Sequence, residues 1–284
     1  MNILNRNIAF LFVTILSLWS CDNTQTPISD NYVIEGFIYA NEPVTDIKIK
    51  KIRPLISEDT VEEVISDALV VISDGLNDFV LDFNGNTGKY ESFSTDLEIK
   101  SGNTYELYVT VGSRTSFSET VIPDTPMGVR LSADTLAIPE LKLSLGLRDQ
   151  IIQLFNDGRI KLEWNNPLEE SFYVVIEERV HADDFIPLLP EEIPANAREL
   201  LNSFRFISEP SQETSFDIIG IALQTYGLHV ATVYKVNQEY EELFNNLEQD
   251  SRDLNEPPSN ISGALGIFTG FAADSIFFEI VLDQ

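Results

Sequence analysis

Between residues 33 and 122 the chain is written in short runs of β-branched and aromatic residues, recurring about every 8 to 15 positions and closed by Gly, Asn, Asp or Pro. Runs this short cannot build long helices, and their even spacing fits the strands of a small β-sandwich. The pattern predicts strands over 32–39, 46–52, 68–73, 79–83, 89–93, 104–111 and 116–122. In Ile47-Lys48-Ile49-Lys50 and Tyr105-Glu106-Leu107-Tyr108-Val109, apolar and polar residues alternate, so one side of each strand faces a core and the other faces water. Asn84-Gly85-Asn86-Thr87-Gly88 reads as a hairpin turn, because Asn and Gly accept the positive φ that tight turns require.

Pro123-Asp124-Thr125-Pro126 interrupts this pattern and marks a boundary, since two prolines favour an extended connector. The first domain is therefore expected over 32–122, a linker over 123–126 and a second domain over 127–284. In the second part, Ile160-Lys161-Leu162-Glu163-Trp164-Asn165-Asn166-Pro167 followed by Phe172-Tyr173-Val174-Val175-Ile176 resembles the paired strands of a fibronectin type III-like sandwich, with Trp164 as its core aromatic. A later strand over 228–234 fits the same plan, and the chain closes with a segment over 263–270 and an apolar strand over 275–282. Two inserted helices are expected. The first, near 195–206, places Ala197, Leu200, Leu201 and Phe204 on one face. The second, over 238–254, carries Tyr240, Leu243, Phe244 and Leu247 at helical spacing, with Asn237 as its N-cap and Pro257-Pro258 as its stop. The fold class is mostly β, two tandem β-sandwiches with inserted helices.

Charge and residue counts narrow the function. Forty-six Asp and Glu against 18 Lys and Arg give a formal net charge of −28. Coulomb repulsion then opposes phosphate backbones, so no nucleic-acid partner is expected. One Cys and two His leave zinc sites of the Cys/His type, disulfide frameworks and thiol redox pairs without the residues they need. The one Cys sits in a telling place. Met1 to Arg6 carries one positive charge, and an apolar run over 8–19 follows, shorter than the roughly 20 residues a membrane span needs. The run ends in Leu18-Trp19-Ser20-Cys21, which resembles a bacterial lipobox, although Trp19 stands where a small or aliphatic residue is usual. Residues 1–20 are thus expected to be a lipoprotein signal peptide and Cys21 a lipid acceptor, the alternative being a plain signal peptide with an unrelated thiol. Each buried CH₂ of such a lipid contributes about 0.8 kcal/mol, enough to hold an acidic body at a membrane. The polar stretch over 22–31 reads as a tether, so 21–31 is the lipidated Cys and its leash. Asp22 is either a surface-export signal or one more acid in an acidic chain.

The order of features is similar to a Bacteroidota family of outer-membrane lipoproteins catalogued as a domain of unknown function. The resemblance is carried by Val33-Ile34-Glu35-Gly36, Ala68-Leu69-Val70-Val71-Ile72-Ser73-Asp74, Gly88-Lys89-Tyr90 and Gly102-Asn103-Thr104-Tyr105-Glu106-Leu107. It continues in Trp164-Asn165-Asn166-Pro167 with Tyr173, in Tyr240, and in Pro257-Pro258-Ser259-Asn260-Ile261 leading to Gly266-Ile267-Phe268. Gly263-Ala264-Leu265-Gly266 is less glycine-rich than the family pattern. The resemblance implies an immunoglobulin-like N-terminal sandwich and a place beside TonB-dependent-receptor-like barrels of the outer membrane; it implies no reaction and no cofactor other than the covalent lipid.

The remaining constellations each have a plain reading beside the functional one. Asp82, Asn84 and Asn86 alternate as oxygen donors of a calcium loop do, but the register departs from an EF-hand and Phe93 stands where a bidentate Glu belongs, so a plain hairpin competes with a calcium site. The pairs Asp183-Asp184, Glu191-Glu192 and Glu241-Glu242 suit either a hydrolase acting on glycosidic bonds or a solvated acidic face. His181 lies beside Asp183 and Asp184, where a mixed metal site or a surface loop would fit, and His229 falls within an expected strand. Thr60 and Thr135, in Asp59-Thr60-Val61 and Asp134-Thr135-Leu136, resemble Bacteroidota O-glycosylation acceptors, as does Ser275, which is expected to start a buried strand. The function expected from all this is binding rather than catalysis: a lipid-anchored outer-membrane accessory protein partnering a TonB-dependent-receptor-like barrel. Its face of the membrane stays open. The alternatives are an adhesive surface lipoprotein and a carboxylate-dependent carbohydrate-active hydrolase.

Overall fold

The computed structural model describes residues 32–52, 62–140, 149, 152–154, 156, 158–179, 206–220, 223, 225–247 and 259–283. The first seven strands are β1 (Tyr32–Tyr39), β2 (Val44–Lys51), β3 (Leu69–Ser73), β4 (Asp78–Asn84), β5 (Lys89–Ser92), β6 (Thr104–Val111) and β7 (Arg114–Val121). They lie in the order β1-β2-β5-β4-β3-β6-β7, every neighbouring pair antiparallel. Their side chains alternate as the sequence does, and Ile34, Ile38, Ile47, Ile49, Val70, Ile72, Leu107 and Val109 close over one core. Two tyrosines of this core also replace missing strand partners. Tyr90 accepts a hydrogen bond from the Ala68 amide and donates to the Ile65 carbonyl, both at 2.9 Å. Tyr105 does the same between the Lys100 amide at 2.8 Å and the Glu98 carbonyl at 2.7 Å.

The second unit contains β8 (Met127–Leu131), β9 (Thr135–Pro139), β10 (Arg159–Asn165), β11 (Ser171–Glu178), β12 (Phe206–Ile207), β13 (Ser215–Ile219) and β14 (Gly227–Val236). A helix, α1 (Gln238–Leu247), and a long strand, β15 (Leu265–Asp283), follow. A three-stranded sheet β13-β10-β8 faces the run β12-β11-β14-β15. Between them Trp164, Leu162 and Ile218 meet Phe172, Val174, Val233, Phe278 and Ile280. Trp164 is the core aromatic that the sequence pattern requires, packed on Phe172 with ring centroids 5.8 Å apart.

The structure departs from the sequence reading most at the last strand. Residues 265–270 of the segment expected over 263–270 and the strand expected over 275–282 belong to one strand of 19 residues, about 60 Å long at the usual rise per residue. Its first part, Leu265 to Phe271, runs parallel to β1. Its later part, Phe271 to Ile280, pairs antiparallel with β14, and its end pairs with β9. Phe268 and Ile261 accordingly belong to the core of the first unit. Both units therefore share one twelve-stranded sheet, and the proline linker parts their cores without parting their hydrogen bonds. The sequence hid this because Gly266 breaks the pattern of the first part and Ala272-Ala273-Asp274 separate it from the second. Glycine is needed at 266, with φ +118 and a path so close to Ile34 that a Cβ would run into its carbonyl oxygen. Ser275 sits mid-strand and exposed, not at a buried strand start. Strands β8, β9, β12 and β13 carried no clear sequence pattern; β8, for one, buries no residue fully. The helix expected over 238–254 is observed as α1, with 248–254 outside the described residues; of the helix expected near 195–206, only residue 206 is described, and it belongs to β12.

Two outcomes follow from this packing. A fragment spanning 32–126 lacks the strand that covers β1, so its circular dichroism and amide dispersion will be those of an unfolded chain. Appending residues 259–271 through a flexible linker will restore folding; a fragment folded without them would show that β15 is dispensable to the first unit. Thr269 is fully buried with its hydroxyl unpartnered. Thr269→Val therefore leaves urea stability unchanged or raises it by about 1–2 kcal/mol, whereas most core substitutions lower it.

Candidate functional site

The two units meet around Phe271, the residue that pairs with Tyr39 of β1 on one edge and with Val236 of β14 on the other. Phe37, Tyr39, Tyr173, Tyr234, Tyr240 and Phe271 collect there because β1, β11, β14, β15 and α1 each turn an aromatic residue to the same side. Tyr39 stacks on Phe271 at 5.0 Å, Tyr173 on Tyr234 at 4.8 Å, and Tyr240 meets Phe271 edge-on at 5.0 Å. Burial raises the pKa of the Tyr39 phenol, helped by the nearby Asp46 carboxylate, and burial alone raises that of Tyr240.

Helix α1 begins at this seam and ties both units down. The Asn237 carbonyl accepts the Tyr240 and Glu241 amides, as an N-cap residue does. Its side chain, however, reaches away to donate to Thr120 Oγ1 at 3.0 Å and the Val121 carbonyl at 2.8 Å, both on β7. Glu239 accepts from Thr120, and Glu241 accepts from Ser171 at the start of β11. Beside α1 lies an open cleft of about 690 Å³, lined by residues 121–124, 169–171 and 235–238 together with Gly102, Gln212, Glu241, Glu242 and Asn245. Five carboxylates line it, and the one cation, Lys235, is mostly buried and paired with Glu170 at 2.6 Å. Asn166 shapes one wall. Its side chain donates to the carbonyls of Glu170 and Gln212 at 2.8 and 2.9 Å and accepts from the Glu170 amide at 2.8 Å, which holds a turn in which Glu169 adopts φ 56.

Of the carboxylate pairs seen in the sequence, Glu241-Glu242 falls within the described residues and lines the cleft. Adjacent helical positions do not face each other, and the two acids take different partners, Ser171 and Gln238. They are not an opposed acid and base. At Asp82, Asn84 and Asn86 the structure shows a braced hairpin. Asn84 Oδ1 accepts the Asn86 amide at 3.0 Å, and its Nδ2 donates to Glu91 at 2.8 Å. Asn84 and Thr87 hold the Glu91 carboxyl below its ordinary pKa, so Glu91 serves as the brace of the hairpin. Among the described residues no group of three or more acids, His or Cys is placed to hold a metal ion. Thr135 is exposed at the start of β9. Cys21, Thr60, His181, Asp183-Asp184 and Glu191-Glu192 lie outside the described residues. Asn166 and Asn237 escaped notice as site-forming residues; the signal available was an amide side chain beside a proline turn and one at a helix start.

A known family's sequence model matches residues 22–276, nearly the whole chain. The chain belongs to this family, described as a domain of unknown function (DUF4249). Among curated proteins, none matches this DUF4249 chain. Among solved structures, it is similar to a crystal structure of domains from titin at 14% identity and TM-score 0.20, covering 73% of this chain and 61% of that one. It is also similar to a two-domain fibronectin type III segment of chicken tenascin at 10% identity and TM-score 0.24, covering 88% and 99%. The architecture of the DUF4249 chain stands on its own strand pairings.

His229 lies on β14, buried, stacked on Phe278 at 5.3 Å with Nδ1 donating to the Gly227 carbonyl at 3.0 Å. Burial pushes its pKa below the ordinary 6.5, with the Gly227 carbonyl and Glu178 pulling the other way. The unfolded chain thus takes up this proton at a higher pH than the folded one, and stability falls as the pH drops below about 6.5. His229→Gln will flatten that part of the decline. Urea midpoints of the two proteins between pH 7.5 and 5.5 measure it, and parallel curves would mean that His229 does not contribute.

Proposed function

We propose that this DUF4249 chain is a lipid-anchored accessory protein of a Bacteroidota outer membrane, one that works by binding and partners a TonB-dependent-receptor-like barrel. Cys21 carries the lipid, residues 1–20 are the signal peptide and 21–31 the leash. The first unit is read as immunoglobulin-like and the second as fibronectin type III-like with inserted helices. The observation that carries the reading is the seam. β15 is hydrogen-bonded to strands of both units, so their faces and the cleft between them keep a fixed relation. Sites of recognition concentrate at such junctions. The lipobox supplies the other half of the argument, because a body with 46 acids against 17 basic residues, once residues 1–20 with Arg6 are removed, needs a hydrophobic foot to stay at a membrane. Among the described residues no helix is long and apolar enough to cross one.

The test uses the full chain in its own cells. Wild-type protein will fractionate with membranes, its mature N-terminal Cys21 acylated by mass spectrometry, and a barrel will accompany it through mild detergent. Cys21→Ser will move it to the soluble fraction. An unacylated thiol or an uncut leader ends the anchor reading; acylated protein that purifies without a barrel ends the partner reading.

A further inference from the structure

The outer face of β4, β3, β6 and β7 carries two cross-strand rows that set its chemistry. Val80, Val71, Tyr108 and Phe117 pair across it as an apolar stripe, with Tyr108 and Phe117 in ring contact at 5.1 Å. Leu69 extends the stripe on one side, and Val80 and Leu69 are 60% and 52% exposed, far more than core strands of a sheet leave open. On its other side runs an acidic row, Asp78, Ser73, Glu106 and Glu119, with Asp78 and Glu119 at the surface. No Lys or Arg stands at the outward positions of these four strands.

We propose that this face docks a protein partner presenting an apolar ridge bordered by lysine or arginine. It deepens the reading of the chain as a binding protein and does not depend on the anchor or on the partner being a barrel. Charge decides the occupant. A second copy would bring the same carboxylates and a net charge of −28, and an anionic lipid surface would be repelled in the same way. A basic border instead meets Asp78 and Glu119 within a Debye length of about 8 Å, while the stripe supplies the area that leaves water. Tyr108 suits the centre of such a patch, since its ring offers rigid apolar area and its hydroxyl is already satisfied by Glu106 at 2.8 Å.

The experiment places the photo-crosslinker p-benzoylphenylalanine at position 80 of the full chain, expressed in its native cells, with Lys161 of β10 as the control position. The expected result is a discrete adduct with one protein, formed from position 80 and not from 161, whose crosslinked peptide joins apolar residues to Lys or Arg. Asp78→Lys combined with Glu119→Lys will cut its yield at least about tenfold, since like charges now face each other. Should that pair lower the melting temperature, Asp78→Lys alone carries the comparison. No adduct, an adduct with the chain itself or with lipid only, or a yield indifferent to charge reversal would overturn the proposal. An adduct with a protein other than a barrel upholds the docking face while counting against the barrel reading, so the two fail separately.

Discussion

A strand that belongs to two cores at once fixes most of what this molecule can be. Parallel pairing to β1 cannot come from a neighbouring hairpin, because a parallel partner needs a long crossover, and here the crossover is the rest of the first unit followed by the second. The first unit gains Phe268 and Ile261 for its core only when the end of the chain returns. The second unit, in turn, uses the same strand as the partner of β14 and β9. Neither unit is complete until both are, which raises cooperativity and slows folding through contacts far apart in sequence. The aromatic cluster follows from the handover, since Phe271 is the one position where β1 and β14 both lie alongside β15.

The return segment explains an oddity of β7. Its inward positions are Ser116, Ser118 and Thr120, polar residues where the strand pattern calls for apolar ones, yet all three are buried. Ser118 and Thr120 have partners that set the register of the returning chain, and Ser116 is tied to β1. Ser116 shares a hydrogen bond with the Tyr32 hydroxyl at 2.7 Å, Ser118 donates to the Asn260 carbonyl at 2.8 Å, and Thr120 accepts the Gly270 amide at 3.2 Å. Asn260 adds a two-point clasp on Phe268, its amide donating to the carbonyl and accepting the N–H. A greasy contact would tolerate slippage by one residue. A satisfied polar network does not, because a slip would strand several buried donors and acceptors at once.

The sequence was legible where the physics is local. Alternation placed the first seven strands within a residue or two, the Asn-Gly turn was found, and Trp164 was assigned to the core. Long-range pairing was not legible, because nothing in Leu265 to Phe271 announces a partner at the other end of the chain, and Gly266 reads as a break until Ile34 is seen beside it. The resemblance motifs were quoted as separate fragments, yet Gly36, Tyr173, Tyr240, Asn260 and Phe268 all meet along the seam: Phe268 packs so closely on Gly36 that a Cβ there would crowd its ring. The candidate cleft was hidden for the same reason, since its walls, 121–124, 169–171 and 235–238 with Glu241, Glu242 and Asn245, are far apart in sequence and are brought together by the shared strand and the contacts of α1.

Charge shapes the seam in a complementary way. With 46 acids and 18 basic residues, most carboxylates cannot find a cation. Near β1 and β2 the chain concentrates its lysines, where Lys48, Lys50 and Lys51 answer Glu35, Glu62 and Glu63, and Glu62 is held at a pKa of about 2 by Lys48 and Lys50. Lys48–Glu62 and Lys51–Glu63 are exposed and contribute little, being screened by salt, while Lys50–Glu35 is partly buried. At the seam Lys235 holds Glu170, and neutral donors hold three more acids: Thr120 for Glu239, Ser171 for Glu241, Gln238 for Glu242. A hydrogen bond from a fixed hydroxyl or amide positions a carboxylate without neutralising it. The junction therefore stays strongly negative while remaining geometrically defined, and an acidic chain gains a fixed, charged cleft from the same contacts that weld its two halves.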